Sequence, residues 1–104
     1  MIELADYLMG IDLGTSSTKI LLIDIQGRQI GLEATEYEIS APAAGYAEQD
    51  MDYLWSIVAA TIKRLLTKTH VDSADIKGIG FSGQMHGLVP LDKKNSPIRP
   101  AIIW

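Results

Sequence analysis

Cysteine is absent from this 104-residue chain, which excludes disulfide frameworks, thiolate metal sites and cysteine nucleophiles. Such a chain suits a reducing compartment, and the expected location is cytoplasmic. Long hydrophobic runs are lacking too: none approaches the ~20 residues needed to span a bilayer. The acidic start Met1-Ile2-Glu3-Leu4-Ala5-Asp6 has neither the basic region nor the apolar stretch of a signal peptide. Charge of one sign is also scarce. A formal net charge of −4 gives no electrostatic footprint for nucleic acid or an anionic membrane, and neither is expected as a partner. There is no internal repeat and no low-complexity tract.

What is present is ordinary globular composition, 47% hydrophobic and 21% charged, in a length that allows one domain at most. The first forty residues read as three consecutive strands. Tyr7 to Ile11 and Thr18 to Asp24 are apolar runs, and Gly27 is the expected positive-φ residue of the turn into the third strand. In that third strand Ile30, Leu32 and Ala34 alternate while Tyr37 and Ile39 fall on the other parity, which predicts a bulge near Thr35 or Glu36. Ser40 to Gln49 reads as a loop and Asp50 as the N-cap of a helix whose stripe is Met51, Leu54, Trp55, Val58, Ile62, Leu65 and Leu66. Trp55 is assigned to the core on that spacing. Lys63, Arg64 and Lys68 near the helix end complement its dipole and need no ligand. Ile76 to Phe81 then returns as a strand after a helical crossover, Leu88 to Leu91 reads as another, and Asp92 to Pro97 forms a hydrophilic hairpin tip.

Two segments carry chemistry. In Gly10-Ile11-Asp12-Leu13-Gly14-Thr15-Ser16-Ser17-Thr18-Lys19 an acidic residue ends an apolar strand, and a tight hydroxyl-rich turn follows. Successive turn N–H groups and the hydroxyls of Thr15, Ser16 and Ser17 can face one anion, while Asp12 offers the oxygen ligand that a hard cation prefers. Because a second strand leaves the turn, a Walker-type strand-to-helix loop is not expected. Taken alone, the Asp12 to Thr15 string also fits an ordinary hairpin turn. The second segment, Gly78-Ile79-Gly80-Phe81-Ser82-Gly83-Gln84-Met85-His86-Gly87, empties a short strand into a polar loop. Loops at the carboxyl ends of such strands are the usual place for ligands. Gln84 and His86 suit hydroxyl recognition, although on residue type alone Met85 also fits a core and His86 a structural histidine.

The first string resembles the phosphate motif of the actin-like ATPase superfamily, and the second resembles the substrate loop of the FGGY carbohydrate kinases in the form typical of xylulokinases. A third match, Gly45-Tyr46-Ala47-Glu48-Gln49-Asp50, is similar to that family's G-W-x-E-Q-D segment, with Tyr46 replacing the commoner tryptophan. The resemblance implies an α/β, ribonuclease H-like (actin-like ATPase) N-terminal domain: a mixed sheet with a helical crossover, incomplete in this chain. It implies ATP and Mg²⁺ as cofactors, with Asp12 associated with the metal and Gly14, Thr15, Ser16, Ser17 and Lys19 along the phosphates. Lys19 also fits a solvated strand-end charge. Gln84, Met85 and His86 would meet the sugar, D-xylulose being the expected substrate and gluconate or another polyol the alternative.

Ala101-Ile102-Ile103-Trp104 is an apolar run without cap or tail. On that ground residues 1–104 are expected to be the amino-terminal part of the first of two actin-like domains, with the general base and adenine site elsewhere and no activity in this part alone. The expected partners are a small sugar and ATP, and the candidate assembly is a homodimer. Two readings of other classes compete: a chaperone-type or filament-type nucleotide-binding protein, which shares the turn but not the Ser82 to Gly87 loop, and a standalone sugar-binding module.

Overall fold

The computed structural model describes residues 6–85 and 87–103. Strands β1 (Tyr7–Leu13), β2 (Ser17–Asp24) and β3 (Gln29–Glu36) form an antiparallel meander. The chain then passes through β4 (Glu48–Gln49) and α1 (Met51–Thr69) to β5 (Ile76–Gly83), which lies parallel to β1. The sheet order is β3-β2-β1-β5, and β6 (Ala101–Ile102) pairs with β4 in a separate two-stranded ribbon. This is the expected mixed sheet with a helical crossover.

Local chemistry fixes the elements. Gly27 turns the β2–β3 hairpin at a φ of 85°, and the Asp24 carboxylate closes it by accepting from the N–H groups of Gln26 and Arg28, each at 2.9 Å. Asp50 caps α1 as expected, taking the N–H groups of Asp52 and Tyr53 at 3.0 and 3.1 Å. His70 ends the helix in the left-handed conformation, its N–H reaching Leu66 O.

The core lies between one sheet face and α1. Successive strand residues point to opposite faces, so Met9, Ile11, Ile20 and Leu22 meet Val58 and Leu65. The helix sits close over β3: a Cβ on Gly31 would stand 2.6 Å from Thr69 Cγ2 and 2.9 Å from Leu65 Cδ1. Thr61 is buried, donates to Ile57 O at 2.7 Å and meets the Thr35 hydroxyl at 2.7 Å. Outside this seam, Lys68 and Arg64 flank Glu33 at 3.2 and 3.3 Å, and their hydrogen bonds hold its carboxyl below the usual carboxylate range.

Three expectations are corrected. Trp55 is not in this core but 67% exposed, because the contact between α1 and β3 through Thr61 and Thr69 rotates the buried stripe to the Leu54, Val58, Thr61, Leu65 line. The bulge is not near Thr35 or Glu36: the β2–β3 register shifts between Leu22 and Ile23, beside Ile30. Gly31, Glu33 and Thr35 face the helix and Tyr37 continues their parity, whereas Ile30, Leu32 and Ala34 lie on the open face. Leu88 to Leu91 forms only isolated pairings, Leu88 with Ile102 and Leu91 with Pro97, since Pro90 has no N–H for a continuous ladder. Beyond Leu91 the expected tip does form, with Asp92 N–H on Ser96 O at 2.9 Å. Among the described residues no helix is long and apolar enough to cross a membrane.

Candidate functional site

The site starts where the parallel strands β1 and β5 end, the edge at which open α/β sheets bind ligands. Register places Lys19, Asp12 and Ser82 in one row across β2, β1 and β5. The row has the parity opposite to Met9, Ile11 and Ile20, and so lies on the face that α1 does not cover. Ser82 Oγ donates to Asp12 Oδ1 at 2.9 Å. Behind the row Gly10 faces Gly80 across the strand pair. The result is a depression of about 360 Å³ floored partly by bare backbone and walled by Asp12, Lys19, Leu21 and Ser82.

Above it stands the Gly14 to Ser17 turn. Gly14 N–H donates to Ser17 O at 2.9 Å, and a Cβ on Gly14 would lie 2.9 Å from that same oxygen. Glycine is required here for close approach, since its φ is not positive. Tyr37, buried behind the turn, presents its hydroxyl to the carbonyls of Gly14 and Ser17. Burial, with the Asp12 carboxylate adding to it, pushes the Tyr37 hydroxyl above its ordinary pKa. Thr18 Oγ1 donates to Asp12 O at 2.9 Å, tying the start of β2 to the end of β1. Thr15 and Ser16 are exposed, and among the described residues neither backbone N–H donates to a protein group. A fixed turn whose Thr15 and Ser16 amides have no protein partner among the described residues, beside the serine hydroxyls, can take an anion.

The loop after β5 begins against this turn. Gln84 N–H donates to Leu13 O at 2.9 Å. The Gln84 side chain accepts from Thr15 Oγ1 at 2.7 Å and donates to Ile103 O at 3.3 Å. Met85 follows and is 75% exposed; His86 lies outside the described residues. The structure therefore brings Asp12, Lys19, the turn and Gln84 to one sheet edge, with Met85 on the adjoining loop.

A metal can be weighed from the donor set. Among the described residues no group of three or more His, Cys, Asp or Glu side chains could hold an ion. Asp12 is a single carboxylate with one oxygen engaged by Ser82. That suits Mg²⁺, which is held by one or two carboxylates together with substrate phosphates and water rather than by an all-protein cage.

Sequence reasoning missed three contributors. Ser82 lay within the substrate-loop string, and only strand register reveals it opposite Asp12. Tyr37 announced itself by its parity but was assigned to a bulge. Gln49 stands in the sequence only within the Gly45 to Asp50 match; its side chain, 9% exposed, donates to Thr15 O at 3.0 Å.

Residues 7–104 match the N-terminal domain of the FGGY family of carbohydrate kinases. The xylulose kinase of Lactococcus lactis subsp. lactis is 48% identical over 102 residues, covering 94% of this chain and 20% of that protein. Among solved structures, a xyloylose kinase from Brucella ovis superposes with a TM-score of 0.87 at 38% identity, over 92% of this chain and 20% of that one. A gluconate kinase from Lactobacillus acidophilus gives a TM-score of 0.84 at 31% identity, over 94% of this chain and 19% of that one. The chain thus spans about a fifth of the length of the relatives it matches. Its sheet and helix have the actin-like arrangement of the N-terminal domain of these kinases, the fold class expected from the sequence.

Proposed function

Since the chain belongs to the FGGY family of carbohydrate kinases, we propose that it is the amino-terminal part of the first domain of an ATP-dependent sugar kinase, converting D-xylulose to D-xylulose 5-phosphate. The observation that carries this reading is the Lys19, Asp12, Ser82 row beneath a turn whose Thr15 and Ser16 amides have no protein partner among the described residues.

In this reading the amides of Thr15 and Ser16 and the hydroxyls of Ser16 and Ser17 take the nucleotide phosphates, the Thr15 hydroxyl being held by Gln84. Asp12 holds Mg²⁺, which offsets phosphate charge in phosphoryl transfer. Ser82 orients the Asp12 carboxylate, and Lys19 adds positive charge on the same face. Met85 and His86 contact the sugar. The family resemblance assigns the proton-accepting aspartate and the adenine site to later sequence, so this part supplies binding and orientation only. Asp12 is badly placed to serve as base, because it lies at the phosphate turn. A cytoplasmic setting, where Mg·ATP is supplied, and a homodimeric assembly belong to the same reading.

Gluconate is the alternative substrate, favoured by the similar superposition on the gluconate kinase. A chaperone or filament role leaves the Ser82 to Gly87 loop without an explanation. Substituting Met85→Ala or His86→Ala in the full-length enzyme should raise the KM for D-xylulose about tenfold or more, with the KM for ATP within about twofold, as expected for lost contacts to the sugar alone. Equal loss toward both substrates would remove these residues from sugar recognition.

A further inference from the structure

We propose that Gln49 and Gln84 together brace Thr15, and that Gln84 is thereby a positioning residue for the nucleotide phosphates rather than a contact to the sugar; the proposal rests on the kinase reading above. Within itself the Gly14 to Ser17 turn makes one backbone bond, Gly14 N–H to Ser17 O. From behind, Tyr37 holds the Gly14 and Ser17 carbonyls through its hydroxyl and Ser16 O through its N–H, and none of these bonds reaches Thr15. Thr15, its exposed first central residue, is nevertheless gripped at two atoms: its carbonyl by Gln49 Nε2 at 3.0 Å and its hydroxyl by Gln84 Oε1 at 2.7 Å.

The two glutamines are themselves connected. Gln84 Nε2 donates to Ile103 O at 3.3 Å, Ile103 N–H donates to Ala47 O at 3.0 Å, and two residues on from Ala47 stands Gln49, fixed by the pairing of Gln49 with Ala101. The hydrogen bonds therefore close a ring from Thr15 through Gln84, Ile103 and β4 back to Thr15. Removing Gln49 releases the Thr15 carbonyl, and removing Gln84 releases its hydroxyl.

Both ends of the Gln84 amide are engaged inside this ring, while Met85, the next residue, projects outward. Displacement of the Met85 loop by a sugar would move Gln84, and through it the Thr15 hydroxyl and the amides that follow. Gln84 so placed couples the sugar loop to the phosphate turn, and the Gly-Tyr-Ala-Glu-Gln-Asp segment acquires a role in holding Gln49 under that turn.

The test uses the full-length enzyme with Gln84→Leu, Thr15→Val and the double substitution. Mg·ADP affinity is read by calorimetry, and the KM values for sugar and ATP by steady-state kinetics. Each single substitution should weaken Mg·ADP about three- to tenfold, the equivalent of one hydrogen bond, leave the sugar KM within about twofold, and be recovered at position 15 by Thr15→Ser. The double variant should be no worse than the worse single, because both remove the same bond. Additive losses, or a raised sugar KM with unchanged Mg·ADP affinity, overturn the brace. Should Gln84→Leu fail to fold by its melting curve, Thr15→Val alone decides, being on the exposed side of the bond. Absence of sugar turnover in the unsubstituted enzyme would defeat the kinase reading, while the Mg·ADP titrations would still decide the brace.

Discussion

Replacing Asp12 by alanine in the full-length enzyme is expected to lower kcat by about 10²–10³-fold with whatever sugar it accepts, the scale on which a preorganised electrostatic group contributes to a transition state. The sugar KM should move little. Register sets Asp12 beside Ser82 at the ends of two parallel strands, and Ser82 Oγ fixes one carboxylate oxygen. In the proposed reading this carboxylate acts through a cation on the phosphates, so its loss should fall on phosphoryl transfer and not on sugar recognition. Steady-state kinetics over a range of Mg²⁺ concentrations checks this. An Asp12→Ala enzyme with unimpaired kcat would remove Asp12 from the mechanism.

The second large effect is on stability. Leu65→Ala should destabilise the first domain by about 2–5 kcal/mol, the range for deleting a fully buried leucine whose surroundings relax incompletely. Leu65 is fully buried at the centre of the helix–sheet core. Its neighbourhood cannot close the gap easily, because α1 already rests on the backbone of Gly31. Denaturant unfolding of the full-length enzyme, followed at the transition of this domain, measures the loss. A change below about 1 kcal/mol would mean that the α1–sheet seam is not the main core, since large-to-small changes in a packed core exceed that value.

The first three strands, the helix and the crossover were legible because hydrophobic periodicity separates strands from a long helix, and because Gly27 and Asp50 punctuate in the expected ways; that β5 lies beside β1 was visible only in the fold. The Gly14 to Ser17 turn was legible as a string of residue types. What the sequence did not expose was decided by packing between distant segments. The helix could have turned Trp55 inward on its own periodicity; Gly31 and the Thr35–Thr61 contact turned it out. Tyr37 is out of phase with Ile30, Leu32 and Ala34 because those three lie on the open face of β3, whereas the helix covers the Gly31, Glu33, Thr35 side. Leu88 to Leu91 carried strand composition, yet one imino nitrogen in it was enough to reduce pairing to isolated contacts. The grip of Gln49 and Gln84 on Thr15 depends on three-dimensional closure between segments far apart in the chain, and no local pattern encodes it.

The most direct test of the account is ADP release by the full-length enzyme with Mg·ATP, measured against D-xylulose, L-xylulose, L-ribulose, gluconate and glycerol. Selective turnover of D-xylulose is the predicted result. Preference for gluconate or another polyol would keep the kinase and overturn the substrate, and the absence of ADP release with every sugar would contradict the account at its centre.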